Sequence, residues 1–198
     1  MPTQRLRRLA CALSAGLMLS GCAGFRANQL GPVNQAALNS PTPQQTKVYS
    51  SWHMAAGSRG DATANTILSA MSKQHFEEAL QKAHCCVLID SRNQADLVVE
   101  GTVHNDVDPL AWLPAVITGF SLYLIPSWLT DKVHIEVIAN PGATQRTYEL
   151  RDQMTMVQWL PMLVVLPFTG NPVRTGQAMN DAVFQHLVVR IKQDGLLR

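Results

Sequence analysis

Charge is scarce in this 198-residue chain, at 15% of residues, and it is unevenly spread. No Asp, Glu, Lys or Arg occurs between Asp108 and Asp131, nor between Asp152 and Arg174. Cysteine is scarce too, with four residues. None are spaced as Cys-x-x-Cys, which argues against a thioredoxin-like redox centre or a paired-cysteine zinc site. A Gly-rich phosphate loop, a nucleophile elbow and a His-Glu-x-x-His helix are all missing, so the common signatures of nucleotide, acyl-transfer and zinc-peptidase chemistry are not there. No basic stripe interleaved with aromatics suggests nucleic acid. The expectation from these absences is a non-catalytic protein that needs no cofactor.

The clearest positive pattern is at the amino end. Arg5, Arg7 and Arg8 precede an apolar run from Leu9 to Leu19, and small residues follow, the layout of a secretory signal. The run is short for a spanning helix, which needs about 20 residues. Leu19-Ser20-Gly21-Cys22 resembles the lipobox of bacterial lipoproteins. That resemblance implies cleavage between Gly21 and Cys22, diacylglycerol on the Cys22 thiol, and a fatty acid such as palmitate on the new amine. Ala23 in place of Asp further implies sorting to the outer membrane, with the protein facing the periplasm. An ordinary cleaved signal and a single membrane anchor are the alternative readings of residues 9–22.

On this reading residues 1–21 are a signal peptide, 22–46 a lipidated flexible tether and 47–198 one α+β periplasmic domain. The tether is expected because residues 23–46 are rich in Ala, Asn, Gln, Pro and Gly without a sustained apolar period. As a coil it would give the domain a reach of roughly 25–30 Å from its lipid. Without Arg5, Arg7 and Arg8, thirteen of the sixteen basic residues remain against fourteen acidic ones, so the formal +2 becomes about −1. Of the cysteines, Cys85 and Cys86 stay in the mature domain and are expected to be buried thiols, with an intermolecular disulfide in an oxidising compartment as the alternative. A disulfide between such strand neighbours is disfavoured, because their side chains should point to opposite faces.

Local patterns set the elements. Lys47 to Trp52 reads as a strand, Asp61 as a helix N-cap, and a helix runs to about Ala83 with apolar residues recurring at three and four. Glu78 and Lys82 should pair on its outer face. Cys85–Asp90 and Ala95–Asn105 read as strands, and Lys132–Ala139 with Gln145–Val157 as a hairpin reversed at Asn140-Pro141-Gly142. Thr175 should cap a last helix whose Met179, Ala182, Val183, Leu187 and Ile191 form one stripe ending at Gly195. The expected fold is an α+β two-layer sandwich, a mostly antiparallel sheet with two helices packed on one face. Together with the segment Ala95-Asp96-Leu97-Val98-Val99-Glu100-Gly101, this order resembles the amino-terminal domain of the Tol translocation protein B and curli-secretion lipoproteins. The resemblance implies an envelope assembly or interaction role.

Each uncharged segment contains Trp-Leu-Pro, at Trp112-Leu113-Pro114 and Trp159-Leu160-Pro161. Prolines 114, 126, 161 and 167 argue against simple spanning helices, so strand or irregular structure is expected. The segments flank the hairpin, and antiparallel pairing should bring them together at its open end, Ser121–Trp128 beside Thr155–Pro161. Tyr123, Trp128, Trp159 and Leu160 would then converge, with Trp112 and Phe168 joining them. One outcome is an extended core. The other is an exposed apolar lobe, the candidate contact surface for the membrane or for an envelope protein partner. A competing reading is a periplasmic small-molecule or metal-binding module on the polar sheet face, where His104 with Glu100 and His134 with Glu136 would lie. A solvated sheet face explains the same residues.

Overall fold

A computed structural model of the chain describes residues 22–56, 61–104, 112–142, 144–165 and 171–197. Leu19, Ser20 and Gly21 of the lipobox, and Phe168, lie outside the described residues. The strands are β1 (Cys22–Arg26), β2 (Thr46–Met54), β3 (Cys86–Leu88), β4 (Leu97–His104), β5 (Ser127–Asn140) and β6 (Arg146–Gln158). The α-helices are α1 (Gln35–Leu38), α2 (Ala62–Lys82), α3 (Trp112–Phe120), α4 (Met162–Val165) and α5 (Pro172–Gln193). Strand order is β1-β6-β5-β4-β2-β3, giving a six-stranded mixed sheet and an α+β fold.

The sheet is not mostly antiparallel in the expected way. β3 and β4 do not form a hairpin; each pairs parallel to β2, one on either side. The strand-helix-strand passage β2-α2-β3 makes this possible, because a helical crossover returns the chain in its starting direction. Antiparallel pairing holds for β4 with β5 and for β1 with β6. The β5–β6 reversal occurs at the expected turn, with Gly142 at φ +94°, where glycine carries no Cβ penalty.

Two compact units are built on these elements. The second unit, residues 28–107, 132–153 and 177–198, holds the apolar core. Val48, Trp52, Leu97, Val99, Ile135 and Val137 point inward from alternate strand positions. Phe76 and Leu80 from α2 and Val183, Phe184, Leu187 and Ile191 from α5 belong to the same buried cluster. Trp52 lies between two rings, with its centroid 5.5 Å from Phe76 and 5.1 Å from Phe184. Gly101 makes room for that indole, since a Cβ there would stand 2.3 Å from the Trp52 ring.

Capping explains the helix limits. Asp61 accepts from Ala64 N at 2.6 Å, which starts α2 as expected. Its outer face differs: Glu78 accepts from Gln74, and Lys82 reaches Asp181 at 3.3 Å. Helix α5 begins before Thr175, at Pro172, with Asn171 Oδ1 accepting from Val173 N at 2.9 Å. Proline at the first helical position loses only an N–H that has no helical partner. Gly195, at φ +72°, ends α5, with Gly195 N bonded to Lys192 O and Leu196 N to Ile191 O.

The segment expected as a flexible tether is instead structured. Cys22–Arg26 adds a strand beside β6, and Leu38 is 2% exposed in the core. Polar contacts strap the remainder: Gln29 N donates to the buried Asp152 carboxylate at 3.1 Å, and Lys192 Nζ donates to Leu38 O and Ser40 O at 2.7 Å. Composition predicted a coil because the pairing partner, the free edge of β6, is more than a hundred residues away.

The Cys85 and Cys86 thiols also differ from expectation. Their Sγ atoms lie 2.8 Å apart, on the same side of the chain, after a backbone turned by His84 at φ +47°. Cys85 precedes the first strand residue, so the alternation of side chains does not apply to it. The contact with Cys86 holds the Cys85 thiol low, while the same contact and burial push Cys86 up.

Candidate functional site

The first unit comprises residues 1–27, 108–131 and 154–176. It differs from the second in how many large apolar side chains it exposes. Among the described residues, fifteen large hydrophobic side chains are exposed, and twelve of them belong to the first unit. Phe120 is 87% exposed, Trp128 68%, Leu124 67% and Leu122 61%. Among the described residues, none of the buried core cluster comes from this unit, whose own buried apolar residues are Ala23 and Met154.

Helix α3 supplies part of that surface. The expectation of strand or irregular structure fails here, because Pro114 falls in the first turn of α3, where its missing N–H breaks no helical bond. Leu113, Val116 and Ile117 are exposed along the helix, while Thr118 is buried with its hydroxyl donating to Pro114 O. The helix ends in a cap of two bonds, Leu122 N to Gly119 O and Tyr123 N to Thr118 O. That cap places its key residue in the left-handed region, usually glycine. Here the position is Leu122, at φ +53°, followed by Tyr123 at φ +64°. Left-handed backbone costs a residue with a Cβ about 1–2 kcal/mol.

The two uncharged segments do meet. Leu160 N donates to Tyr123 O at 2.9 Å, Ser127 Oγ to Gln158 Oε1 at 3.4 Å, and the Thr130 and Thr155 hydroxyls lie 3.1 Å apart. Trp159 and Leu160 are half-buried, whereas Pro114, Pro161, Leu113 and Trp128 are exposed. Trp112 opens α3. Cys22 is the first residue of β1 and is paired with Gln158, so it stands at the same end of these strands. Among the described residues, no helix is long and apolar enough to cross a membrane. Sequence reasoning missed Phe120, Leu122, Leu124 and Ile125, although their position inside an uncharged run was the available signal.

The polar face of the second unit carries the histidines. His104 and His134 are register partners across β4 and β5, and their rings stack with centroids 4.3 Å apart and planes 18° from parallel. Glu136 Oε1 lies 3.5 Å from His104 Nε2 and 3.8 Å from His134 Nε2. Glu149 Oε1 is 3.0 Å from His134 Nε2, but not in hydrogen-bond alignment. Arg151 pairs with Glu149 and holds its carboxyl below the usual carboxylate range, with His134 adding to the effect. Glu100, expected beside His104, is instead bonded to Arg92 at 2.7 Å.

Comparison with known proteins adds little. No protein-family model matches the chain. No curated protein matches it either. Distant solved structures include a leucine-to-methionine variant of the PelC dodecamer from Paraburkholderia phytofirmans, at 9% identity and TM-score 0.33, covering 85% of this chain and 98% of that one. Another PelC dodecamer from the same organism has 10% identity and TM-score 0.29, covering 83% and 96%. A DUF4136 family protein from Bacteroides thetaiotaomicron has 12% identity and TM-score 0.28, covering 89% and 97%. Likenesses this weak carry no argument about this chain.

Proposed function

We propose that this chain is a non-catalytic bacterial lipoprotein of the cell envelope, anchored through Cys22 in the outer membrane and facing the periplasm. Its contact surface is the exposed apolar side of the first unit. The observation that carries this reading is the partition of apolar side chains. Among the described residues, the second unit exposes three large hydrophobic side chains beside its buried core, while the first exposes twelve, six of them more than 60% exposed. Contiguous apolar surface beyond a few hundred Å² marks an interaction site. Leu122 adds weight, because a bulky side chain there is neither buried nor favoured by its backbone.

The occupant we propose for this surface is the bilayer. Cys22 lies within β1, so lipid on its thiol or amine would attach to the sheet with no slack chain between. The end of β5 that carries Trp128 would then be held at the membrane surface, the position an amphipathic indole favours. Several acyl chains, at about 0.8 kcal/mol per buried methylene, anchor stably where one is marginal. The absence of a leash replaces the mechanism expected from composition, in which the domain stood away from the membrane. We also propose that α2 and α5 share one face of the sheet, supported by the contacts of Trp52 with Phe76 and Phe184.

The test is vesicle flotation of the full-length protein, with Phe120→Ser, Leu124→Ser and Trp128→Ser combined, each with and without Cys22→Ala. Membrane docking predicts that Cys22→Ala alone still floats in part and that adding the three serines abolishes flotation. If the unlipidated protein never floats and instead crosslinks through Trp128 to an envelope protein, the surface belongs to that partner.

A further inference from the structure

We propose that His104, His134 and Glu136 form a divalent transition-metal site, and that zinc is a metal it accepts. This site lies in the second unit and does not depend on the apolar surface. Its donor atoms already lie within 4.8 Å of one another. In a bound zinc site with metal–nitrogen bonds of about 2.0–2.1 Å, tetrahedral donors stand roughly 3.3 Å apart, so binding requires the two imidazoles to turn out of their stacked arrangement until their Nε2 lone pairs converge.

Three observations favour a ligand here over a solvated sheet face. The Nε2 atoms of both histidines are buried from solvent and neither is in hydrogen-bond alignment, although Glu136 stands 3.5 and 3.8 Å from them and Glu149 3.0 Å from that of His134. A buried polar atom left unsatisfied is unfavourable, and here two occur side by side next to a carboxylate. The strands also place the two histidines side by side, because His104 and His134 are register partners on adjacent strands. Finally, Glu136 has no lysine or arginine partner among the described residues and is half exposed, so it can turn onto a metal and leave one coordination position open to water. Glu149 approaches the same His134 nitrogen but is engaged by Arg151, which leaves Glu136 as the carboxylate ligand.

Two imidazoles and one carboxylate with an open position suit zinc, a borderline ion content with nitrogen and oxygen donors. A second group in the same unit, His75, Glu78 and Asp181, has a similar donor list. There Lys82 Nζ stands 3.3 Å from the Asp181 carboxylate, a resident cation that a metal would have to displace. That group serves as the internal control.

The experiment is calorimetric titration of zinc chloride into full-length, chelator-treated protein in detergent, followed by cobalt(II) spectroscopy. The expected result is one zinc per chain, with His104→Ala and His134→Ala each weakening binding at least about tenfold and removing the tetrahedral cobalt bands. His75→Ala should bind zinc as the parent does. Should a histidine variant fail to fold by near-ultraviolet circular dichroism, Glu136→Gln, at an exposed position, carries the test alone through its loss of affinity. Absence of saturable zinc binding would overturn the proposal. So would binding that survives both histidine variants and Glu136→Gln, or binding that is lost with His75→Ala instead.

Discussion

Ser127 and Gln158 face each other across β5 and β6, the serine hydroxyl donating to the amide oxygen at 3.4 Å, and Gln158 is also the strand partner of Cys22. Three strands therefore end level with one another, and Trp128 follows directly after the buried Ser127. If the proposed lipid sits on Cys22, this tryptophan meets the acyl-chain boundary. Vesicles containing brominated acyl chains should quench part of the protein's tryptophan emission, and Trp128→Phe should remove most of the quenchable part. Quenching unchanged in Trp128→Phe would place the contact elsewhere.

The two units should respond oppositely to truncation. Leu187 is 0% exposed in the core, and Leu187→Ala should lower stability by about 2–5 kcal/mol in urea unfolding. Trp128→Ser removes a larger side chain from an exposed position and should change stability by no more than about 0.5 kcal/mol. A large loss from Trp128→Ser would return that residue to a core and remove the contact surface.

Leu122 separates stability from contact. Its left-handed backbone is one that glycine adopts without a Cβ penalty, so Leu122→Gly should stabilise the end of α3 by about 1 kcal/mol. The same change deletes an exposed apolar side chain and should weaken vesicle adhesion. A variant that is both more stable and less adhesive is the expected pattern, measured by thermal unfolding and flotation together.

Tyr148 predicts an alkaline limit. Its hydroxyl donates to the Asp194 carboxylate at 2.7 Å, and burial, then that carboxylate, raise its pKa well above the ordinary tyrosine value. A group raised in the folded state contributes stability that is complete below its unfolded pKa, about 10, and is lost as pH rises from there through the folded pKa. Tyr148→Phe should cost about 0.5–1.5 kcal/mol at neutral pH. Its stability should then fall less than the parent's above about pH 10, as followed by urea unfolding across that range.

Local chemistry was legible in the sequence, and long-range pairing was not. Asp61, Gly142 and Gly195 marked a helix start, a turn and a helix end because each acts on its immediate neighbours. The stripe from Met179 to Ile191 is buried as its spacing implied. The parallel placement of β2 between β3 and β4 had no local signal, since Val48 and Trp52 would alternate identically in an antiparallel sheet. β1 was missed because Cys22–Arg26 carries little alternation and takes its hydrogen bonds from β6. Pro114 misled for a related reason, as a proline in the first turn of a helix reads in sequence like one that breaks it. At the sites, the stacking of His104 on His134 follows from the β4–β5 register, which composition could not supply.

We propose above all that the chain is held to the envelope through Cys22 with its first unit against the bilayer. That proposal is tested most directly by expressing the parent and Cys22→Ala in a Gram-negative host with a clickable fatty acid and fractionating the membranes. Label is expected on the parent in the outer membrane and none on Cys22→Ala, which should stay partly membrane-associated through its apolar surface. A parent protein that takes no label and leaves the membrane in a low-salt wash would contradict it.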